Sequence, residues 1–393
     1  MKKNVHCIHY IPKLCLENGG VVRFIIDICQ VLSDRGLKVT LITQDAKDAP
    51  AKWSNKDSSP SILELKQAHI PGGFINFRNL KKVKQLLDSD ERKVINFHIP
   101  WVLSNYQLSM LANKLKIPYI VTPHGSLDSW SMSQKKLKKN IFWILFGKKH
   151  YENAFSIHYT AESEREQGEK YIVKNNFHII PCLFDVSEFE TIPDTNLAKN
   201  KYIQISSKFP NLLFLSRIHP KKGIDTLIKA ANILINKGVY CNILIAGPDD
   251  LTAKGYRKKL EELIEVSNLS DRVHFIGMVK GQEKLSLYNC ADVFVLPTHQ
   301  ENFGFVLVEA MACATPVITS FGVDIWREIG RGGALITDNT PEAFAEKIEF
   351  LLSDTDTLVN RGKISREWVF SSFDAVRLAD EYCAMYEQFQ SLN

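Results

Sequence analysis

THQENFGFVLVEAMACATPVITS, residues 298–320, sets two carboxylates into an otherwise apolar stretch. It follows the apolar run DVFVLP, turns through a glycine, continues as the helix-like FVLVEAMA and ends in PVITS. Short apolar runs on either side of a helix-length segment read as strand, helix, strand. Glu309 lies inside the helical segment and shares a face with Phe305 and Cys313. Glu301 falls just ahead of that helix, where free backbone N–H groups and the positive end of the dipole collect. A charge among apolar neighbours is costly unless it has a partner, so both carboxylates are expected to border one anion-friendly pocket. Taken alone, a solvated turn residue and an amphipathic surface helix explain them equally well.

Outward from this stretch the same alternation continues. NLLFLSR, CNILIAGP, RVHFIGMV, DVFVLPT, PVITS and GALIT read as strands, with GIDTLIKAANILINKG and YRKKLEELIEVSN as intervening helices. In the first half NVHCIHYIP, LKVTLITQ, KVINFHIP, PYIVTPHG, SIHYTAES and FHIIPC read as strands, with helices at VVRFIIDICQVLSDRG and LSNYQLSMLANKLK. Strands alternating with helices imply a parallel sheet covered on both faces, so the fold class is α/β, doubly wound, twice over. The polar stretch 191–210 reads as the linker between a first domain, 1–190, and a second, 211–370. The tail from about Ser353 reads as amphipathic helix, anchored by Trp368, Phe370, Phe373 and Tyr382.

At 393 residues with 45% hydrophobic content the chain can bury cores in two or three domains. No apolar run reaches the length of a membrane span and the N-terminus lacks a signal-peptide pattern, so a cytoplasmic protein is expected. Eight cysteines form no C-x-x-C pair, and Cys29, Cys241, Cys290 and Cys313 lie in apolar runs, which favours buried thiols over disulfides or zinc. Residues 1–150 carry 24 Lys and Arg against 11 Asp and Glu, whereas residues 151–393 carry 25 against 33. A basic first half suits an anionic surface such as lipid headgroups or an acidic acceptor, and charge alone keeps a nucleic-acid partner open.

Several residues stand at strand ends, where α/β sites form. Gly19 and Gly20 precede the first helix, and His124 closes PYIVTPHG. Arg217 and Lys222 lie in SRIHPKKG, Gly247 follows CNILIA, and Gly277 lies in FIGMV. An Arg fork and a Lys point charge can together neutralise a departing diphosphate without a metal. The triplets Asp88-Ser89-Asp90 and Asp354-Thr355-Asp356 read as helix-capping and turn chemistry rather than as metal ligands.

Glu301, seven residues, then Glu309, followed by AMACATPVI, resembles the signature of the retaining nucleotide-sugar glycosyltransferases of family 4, the group 1 transferases with the GT-B fold. The resemblance spans nearly the whole chain. It implies two facing Rossmann-like domains, with a final helix, 371–393, crossing back onto the N-terminal domain. The family's R-x-x-x-x-K-G matches at Arg217, Lys222 and Gly223, and its Gly-Gly loop and following Arg match at Gly19, Gly20 and Arg23. Its His-Gly, near the reacting sugar, matches His124 and Gly125, while Thr160 and Ser163 fall near the cleft on a looser match. By this resemblance Glu309 would hold the ribose hydroxyls, and Glu301, with Phe303 and Gly304 beside it, would sit closest to the transferred sugar. Gly247 and Gly277 would lie along the base. Two departures show: Ala314 replaces a common Gly and crowds a tight turn, and Pro181-Cys182-Leu183 replaces Pro-Asn-Gly.

The expected activity is a glycosyltransferase of hexosyl type, retaining and metal-independent. It would use a nucleotide sugar as co-substrate and a saccharide, lipid-linked by analogy with polysaccharide-assembly members, as acceptor. No further cofactor and no nucleic acid are expected. The alternatives are a nucleotide-sugar epimerase of the same fold, separated by counting released nucleotide, and a non-enzymatic binding or membrane-adaptor protein, separated by donor turnover. In SQKKLKKNIFWILFGKKHYEN, lysines 135, 136, 138 and 139 precede an apolar run and lysines 148 and 149 follow it. Peripheral binding to an anionic membrane is expected there; the competing reading is a helix that buries Ile141, Trp143 and Phe146 with its lysines solvated.

Overall fold

The strand Arg92–His98 is buried from its second residue to its last, and Val5–Tyr10 along its whole length. Runs buried on both faces belong inside a parallel sheet, where hydrophobic residues need not alternate. In the computed structural model, which describes residues 5–16, 19–54, 59–67, 70, 73–205 and 208–390, the strands are, in chain order, β1 (Val5–Tyr10), β2 (Lys38–Thr43), β3 (Ser61–Glu64), β4 (Arg92–His98), β5 (Tyr119–Thr122), β6 (Ser156–Tyr159), β7 (Phe177–Ile179), β8 (Asn211–Leu215), β9 (Asn242–Ala246), β10 (Val273–Gly277), β11 (Val293–Leu296), β12 (Val317–Ser320) and β13 (Leu335–Thr337). The extreme N-terminus, positions 206–207 of the expected linker and the last three residues of the expected final helix lie outside the described residues.

The first sheet has the order β3-β2-β1-β4-β5-β6-β7 and the second β10-β9-β8-β11-β12-β13, and their strand pairs are parallel. Both orders run outward in one direction and then reverse, the doubly wound pattern with its switch point between the first and fourth strands. These are the two Rossmann-like domains of a GT-B fold. The six strands expected in each half are present. A seventh, β3, is a short and only half-buried edge strand that patterning does not reveal.

The chain divides into two compact units, residues 1–183 with 375–393, and residues 184–374. Both crossings differ from the boundaries read from sequence. Polar 191–210 is not a free linker: it holds the helix Asn196–Lys201, whose Ala198 is fully buried in the second unit. The Ser286 hydroxyl accepts from the Ala198 N–H at 3.0 Å and donates to the Asp194 carbonyl at 2.7 Å. Phe373 stays with the second unit because it packs on Phe184 and Phe303, each at 5.6 Å between ring centroids. After it the helix Ala375–Glu387 returns to the first unit. There the Tyr382 hydroxyl donates to the Pro181 carbonyl at 2.8 Å, and the Tyr386 hydroxyl accepts from Asn96 at 2.9 Å.

Both Asp-x-Asp triplets end or begin helices. Asp354 caps Thr355–Ser372 by accepting from the N–H groups of Asp356 and Thr357, and Asp88 closes Phe77–Leu87. Of the cysteines in apolar runs, Cys29, Cys241 and Cys313 are buried and Cys290 is half-buried.

Candidate active site

In the second unit the site residues gather beyond the carboxyl ends of β8 and β11, the two strands that flank the switch point. Arg217 leaves β8 and Lys222 ends a short turn, Pro220–Lys222, that the His219 ring caps by accepting from the Lys221 N–H at 3.0 Å. Gly223 follows at φ 68°; a Cβ there would stand 1.8 Å from the Pro297 carbonyl oxygen, so glycine alone lets this loop lie against the end of β11. The loop is stitched down by the His299 N–H, which donates to the Lys221 carbonyl at 2.8 Å, and by the Thr298 hydroxyl at 3.1 Å. The Lys221 backbone thereby anchors the loop.

Lys222 is 6% exposed, and its ammonium contacts the Glu301 carboxylate directly. Glu301 is fixed by its backbone, donating to Gly322 at 2.8 Å and accepting from Asp324 at 2.9 Å. Its side chain retains 23% exposure and so still reaches solvent. Burial alone would raise its pKa; Lys222, Lys221 and Arg217 together outweigh burial and hold the carboxyl below its ordinary range. Glu301 is thus an anion among three cations, suited to interact with a sugar as positive charge develops on it. Gly304, at φ 68°, caps the helix Phe305–Ala312 that carries Glu309.

Glu309 does not share Glu301's partners. Lys284 donates to one of its oxygens at 2.7 Å and the Tyr288 hydroxyl to the other at 2.9 Å. Burial first, and then the Glu309 charge, push the Tyr288 phenol well above its ordinary pKa, so it remains a donor. The two carboxylates accordingly hold separate cations. Lys284 and Tyr288 were missed in the sequence, although their i, i+4 spacing on the helix Gly281–Cys290 marks one face. Arg217 is half-exposed and donates to Asp250 at 2.7 Å. Gly247 is a close-approach position: a Cβ would lie 1.9 Å from the Ser216 carbonyl oxygen. Gly277 lies exposed at the end of β10, where its carbonyl accepts from the Gly247 N–H at 2.7 Å. Phe303 needs correcting: its ring is buried against Phe305 and Phe373, which leaves only its backbone to meet a donor.

In the first unit Gly19, at φ 93°, opens the helix Gly20–Asp34 without a side-chain cap, and exposed Arg23 pairs with Asp27 at 3.3 Å. His124 follows β5 in the left-handed region at φ 53°, a conformation that costs a non-glycine residue energy and clusters at functional sites. A buried carboxylate the sequence did not single out clamps this turn. Glu164 accepts from the Gly125 N–H at 2.6 Å, the Thr160 N–H at 2.7 Å and the Thr160 hydroxyl at 2.8 Å. Thr160 is thereby committed to Glu164.

The basic segment divides between the two expectations. Trp143 packs on Trp101, Tyr151 and Tyr171, and Phe146 on Tyr106. Leu137 and Ile144, however, are 74% and 75% exposed, and Ile141 and Leu145 are exposed beside them. Lys139 turns inward and donates to the Ser131 hydroxyl at 2.9 Å. Among the described residues no helix is long and apolar enough to cross a membrane.

Comparison with known proteins gives two family matches: glycosyl transferases group 1 over residues 198–368 and glycosyltransferase family 4 over residues 18–188. The chain is 32% identical over 391 residues to a D-inositol 3-phosphate glycosyltransferase of Corynebacterium glutamicum, covering 88% of this chain and 86% of that protein. A sucrose-phosphate synthase from Thermosynechococcus elongatus superposes with a TM-score of 0.79 at 22% identity, over 98% of this chain and 99% of that one. HepE from Anabaena, solved in complex with UDP-glucose, superposes with a TM-score of 0.76 at 18% identity, over 98% of this chain and all of its own. Each half of the chain thus matches one part of the same enzyme class, and the chain belongs to the group 1 glycosyltransferases of family 4.

Proposed function

We propose that this glycosyltransferase takes its sugar from a nucleotide sugar, retains the anomeric configuration without a metal ion, and delivers it to a lipid-linked saccharide in polysaccharide or glycolipid assembly. The observation that carries the donor side is the convergence of Arg217, Lys222, Glu301 and Glu309 beyond β8 and β11. Arg217 and Lys222 supply the charge that grows useful as a diphosphate leaves. Glu309, already accepting two hydrogen bonds, has lone pairs left for a pair of ribose hydroxyls. Glu301 stands beside Lys222, where it would meet the sugar. On the acceptor side, the clamped turn at His124 and the glycine-opened helix at Gly19, Gly20 and Arg23 are the candidate elements.

Thermal stabilisation by a panel of UDP-, GDP-, ADP- and dTDP-sugars identifies the donor. Turnover with that donor should survive EDTA, and the anomeric configuration of the product, read by NMR, should match the donor's. An inverted product, or EDTA inhibition reversed by Mg or Mn, overturns the mechanism.

Exposed Leu137, Ile141, Ile144 and Leu145, flanked by Lys135, Lys136, Lys138, Lys148 and Lys149, favour an anionic lipid surface as the place of work. The aliphatic side chains would enter the headgroup layer while each lysine near it contributes about 1 kcal/mol. Pelleting with anionic liposomes should be lost when Lys135, Lys136 and Lys138 become Glu. Equal pelleting of both proteins removes the membrane from the proposal.

A further inference from the structure

The first unit holds more imidazole than the chemistry above uses. His9 on β1, His98 at the end of β4 and His124 beyond β5 form an unbroken line. His9 Nδ1 lies 3.0 Å from His98 Nε2, and His98 Nδ1 lies 2.9 Å from His124 Nε2. Their rings stack, with centroids 5.3 Å and 5.2 Å apart. Phe24, on the helix that Gly19 opens, lies edge-on to His98 and His124. Asn105 holds the backbone at the middle of the line, donating to the carbonyls of His98 at 3.1 Å and Ile99 at 2.9 Å. His9 and His98 are fully buried, and His124 is half-buried at the outer end.

Burial keeps all three neutral, with neighbouring imidazoles adding to it: His9 and His124 are pushed down to about 3, and His98 falls well below the ordinary histidine range. A neutral imidazole carries one N–H, and each of the two contacts needs one proton. Two arrangements satisfy both. In the first, His9 Nδ1–H donates to His98, His98 Nδ1–H donates to His124 Nε2, and His124 keeps its own proton on Nδ1. In the second every proton is reversed, and the last lies on His9 Nε2, which is buried with no hydrogen-bond partner among the described residues. An orphaned N–H in a core is rarer than an under-used acceptor, which selects the first arrangement.

We propose that His9 and His98 are positioning residues that hold His124 as its Nδ1–H tautomer, so that the sheet edge offers one fixed hydrogen-bond donor to an oxygen of the bound saccharide. The tautomer of an imidazole is set by the bond its other nitrogen makes, and here that bond comes from another histidine rather than from a carboxylate or a carbonyl. The proposal rests on the reading of His124 as a sugar-side residue, and its test separates the two.

Full-length protein labelled with 15N-histidine, studied at neutral pH by long-range proton–nitrogen correlation, should show His124 with a protonated Nδ1 and a bare Nε2. The opposite pattern overturns the proposal, whatever the activity of His124 variants. His98→Asn places an amide nitrogen near the Nδ1 position and should preserve the His124 tautomer, whereas His98→Gln places it near Nε2 and should lose it. Accordingly, His98→Gln should lower kcat at least about tenfold with the donor KM changed less than about threefold, and His98→Asn should be the rescuing substitution. Equal losses in both folded variants count against a positioning role, and if neither folds the wild-type nitrogen pattern decides alone. If His124→Ala turns over normally while the Nδ1 proton is observed, the line of histidines stands and the sugar-side role of His124 falls.

Discussion

The two sheets reverse strand order at the same place, yet their switch points carry opposite chemistry. Beyond β8 and β11 lie Arg217, Lys222, Glu301 and Glu309, charged, all but the buried Lys222 partly open to solvent, and each paired with an opposite charge. His9 on β1, His98 on β4 and, two strands further along, His158 on β6 are neutral and fully buried, linked by ring contacts with Phe24 and Tyr382. On the proposed function, the same topology serves two tasks. One edge keeps charge ready for a charged ligand, because ions there remain partly solvated and mutually neutralised. The other removes charge altogether and presents oriented dipoles, as suits a neutral sugar or acceptor.

Acid should break this comparison with the largest effect. His158 is pushed down to about 4 and His9 and His150 to about 3, all by burial first, and all three belong to the first unit. Between those values and the unfolded value near 6.5, the unfolded chain binds protons that the folded chain refuses, so stability falls as pH drops through that window. At pH 5 each such imidazole costs about 2 kcal/mol, and two or three together rival the whole stability of a domain. Glu301 has the opposite history: its depressed pKa contributes stability above the unfolded carboxylate value, lost only as pH falls through the lower folded one. Hydrogen exchange read peptide by peptide at pH 7 and pH 5 should therefore show the first unit opening while the second stays protected. If the first unit stays as protected at pH 5 as at pH 7, the buried histidines take up protons in the folded state.

Next in size is the charged edge itself. Arg217→Ala and Lys222→Ala should each lower kcat by about 100-fold or more, because each removes a cation whose value grows as the diphosphate departs. Lys222→Ala should also lower stability, since it leaves Glu301 without its direct partner. Adding Glu301→Gln should recover that stability without recovering turnover, a split that distinguishes catalytic from structural use of the pair. Wild-type rates in both single variants would sink the assignment. Glu309→Gln is milder: nucleotide affinity, measured calorimetrically, should weaken about tenfold, with turnover at saturation less affected.

Legibility followed the same division. The charged edge was readable because its residues come in short local patterns: one loop carries Arg217 and Lys222, and one helix with its preceding turn carries Glu301 and Glu309. Their partners Asp250, Lys284 and Tyr288 lie on other elements and needed the fold to bring them in. The neutral edge was nearly silent. His9 and His98 look like ordinary members of apolar strands, and their association depends on β1 pairing with β4 across 89 residues of chain. Glu164 reads as one more acid in ESERE until the helix Glu162–Glu169 turns it back under Gly125. The stretch 191–210 misled because polarity marks a linker only where no neighbour satisfies the backbone, and Ser286 does so here.

The smallest expected effect concerns the family departure at Ala314, which lies in the charged unit. Its φ is 60°, in the left-handed region where a Cβ costs about 1 kcal/mol relative to glycine. The backbone has little room to relax, because Gly362 backs onto it: a Cβ at Gly362 would stand 2.1 Å from the Ala314 carbonyl oxygen. Ala314→Gly relieves the strain but frees the unfolded chain, a counter-effect of roughly 0.4–1 kcal/mol. The net should be a stabilisation below about 1 kcal/mol, visible as a rise of at most a few degrees in the melting of the second unit. Glu309 sits one helical turn and more upstream and keeps Lys284 and Tyr288, so donor affinity should not change. A clear loss of stability on this substitution would mean that the alanine methyl packs usefully at the start of β12, and that the departure is an adaptation of this chain rather than a tolerated strain.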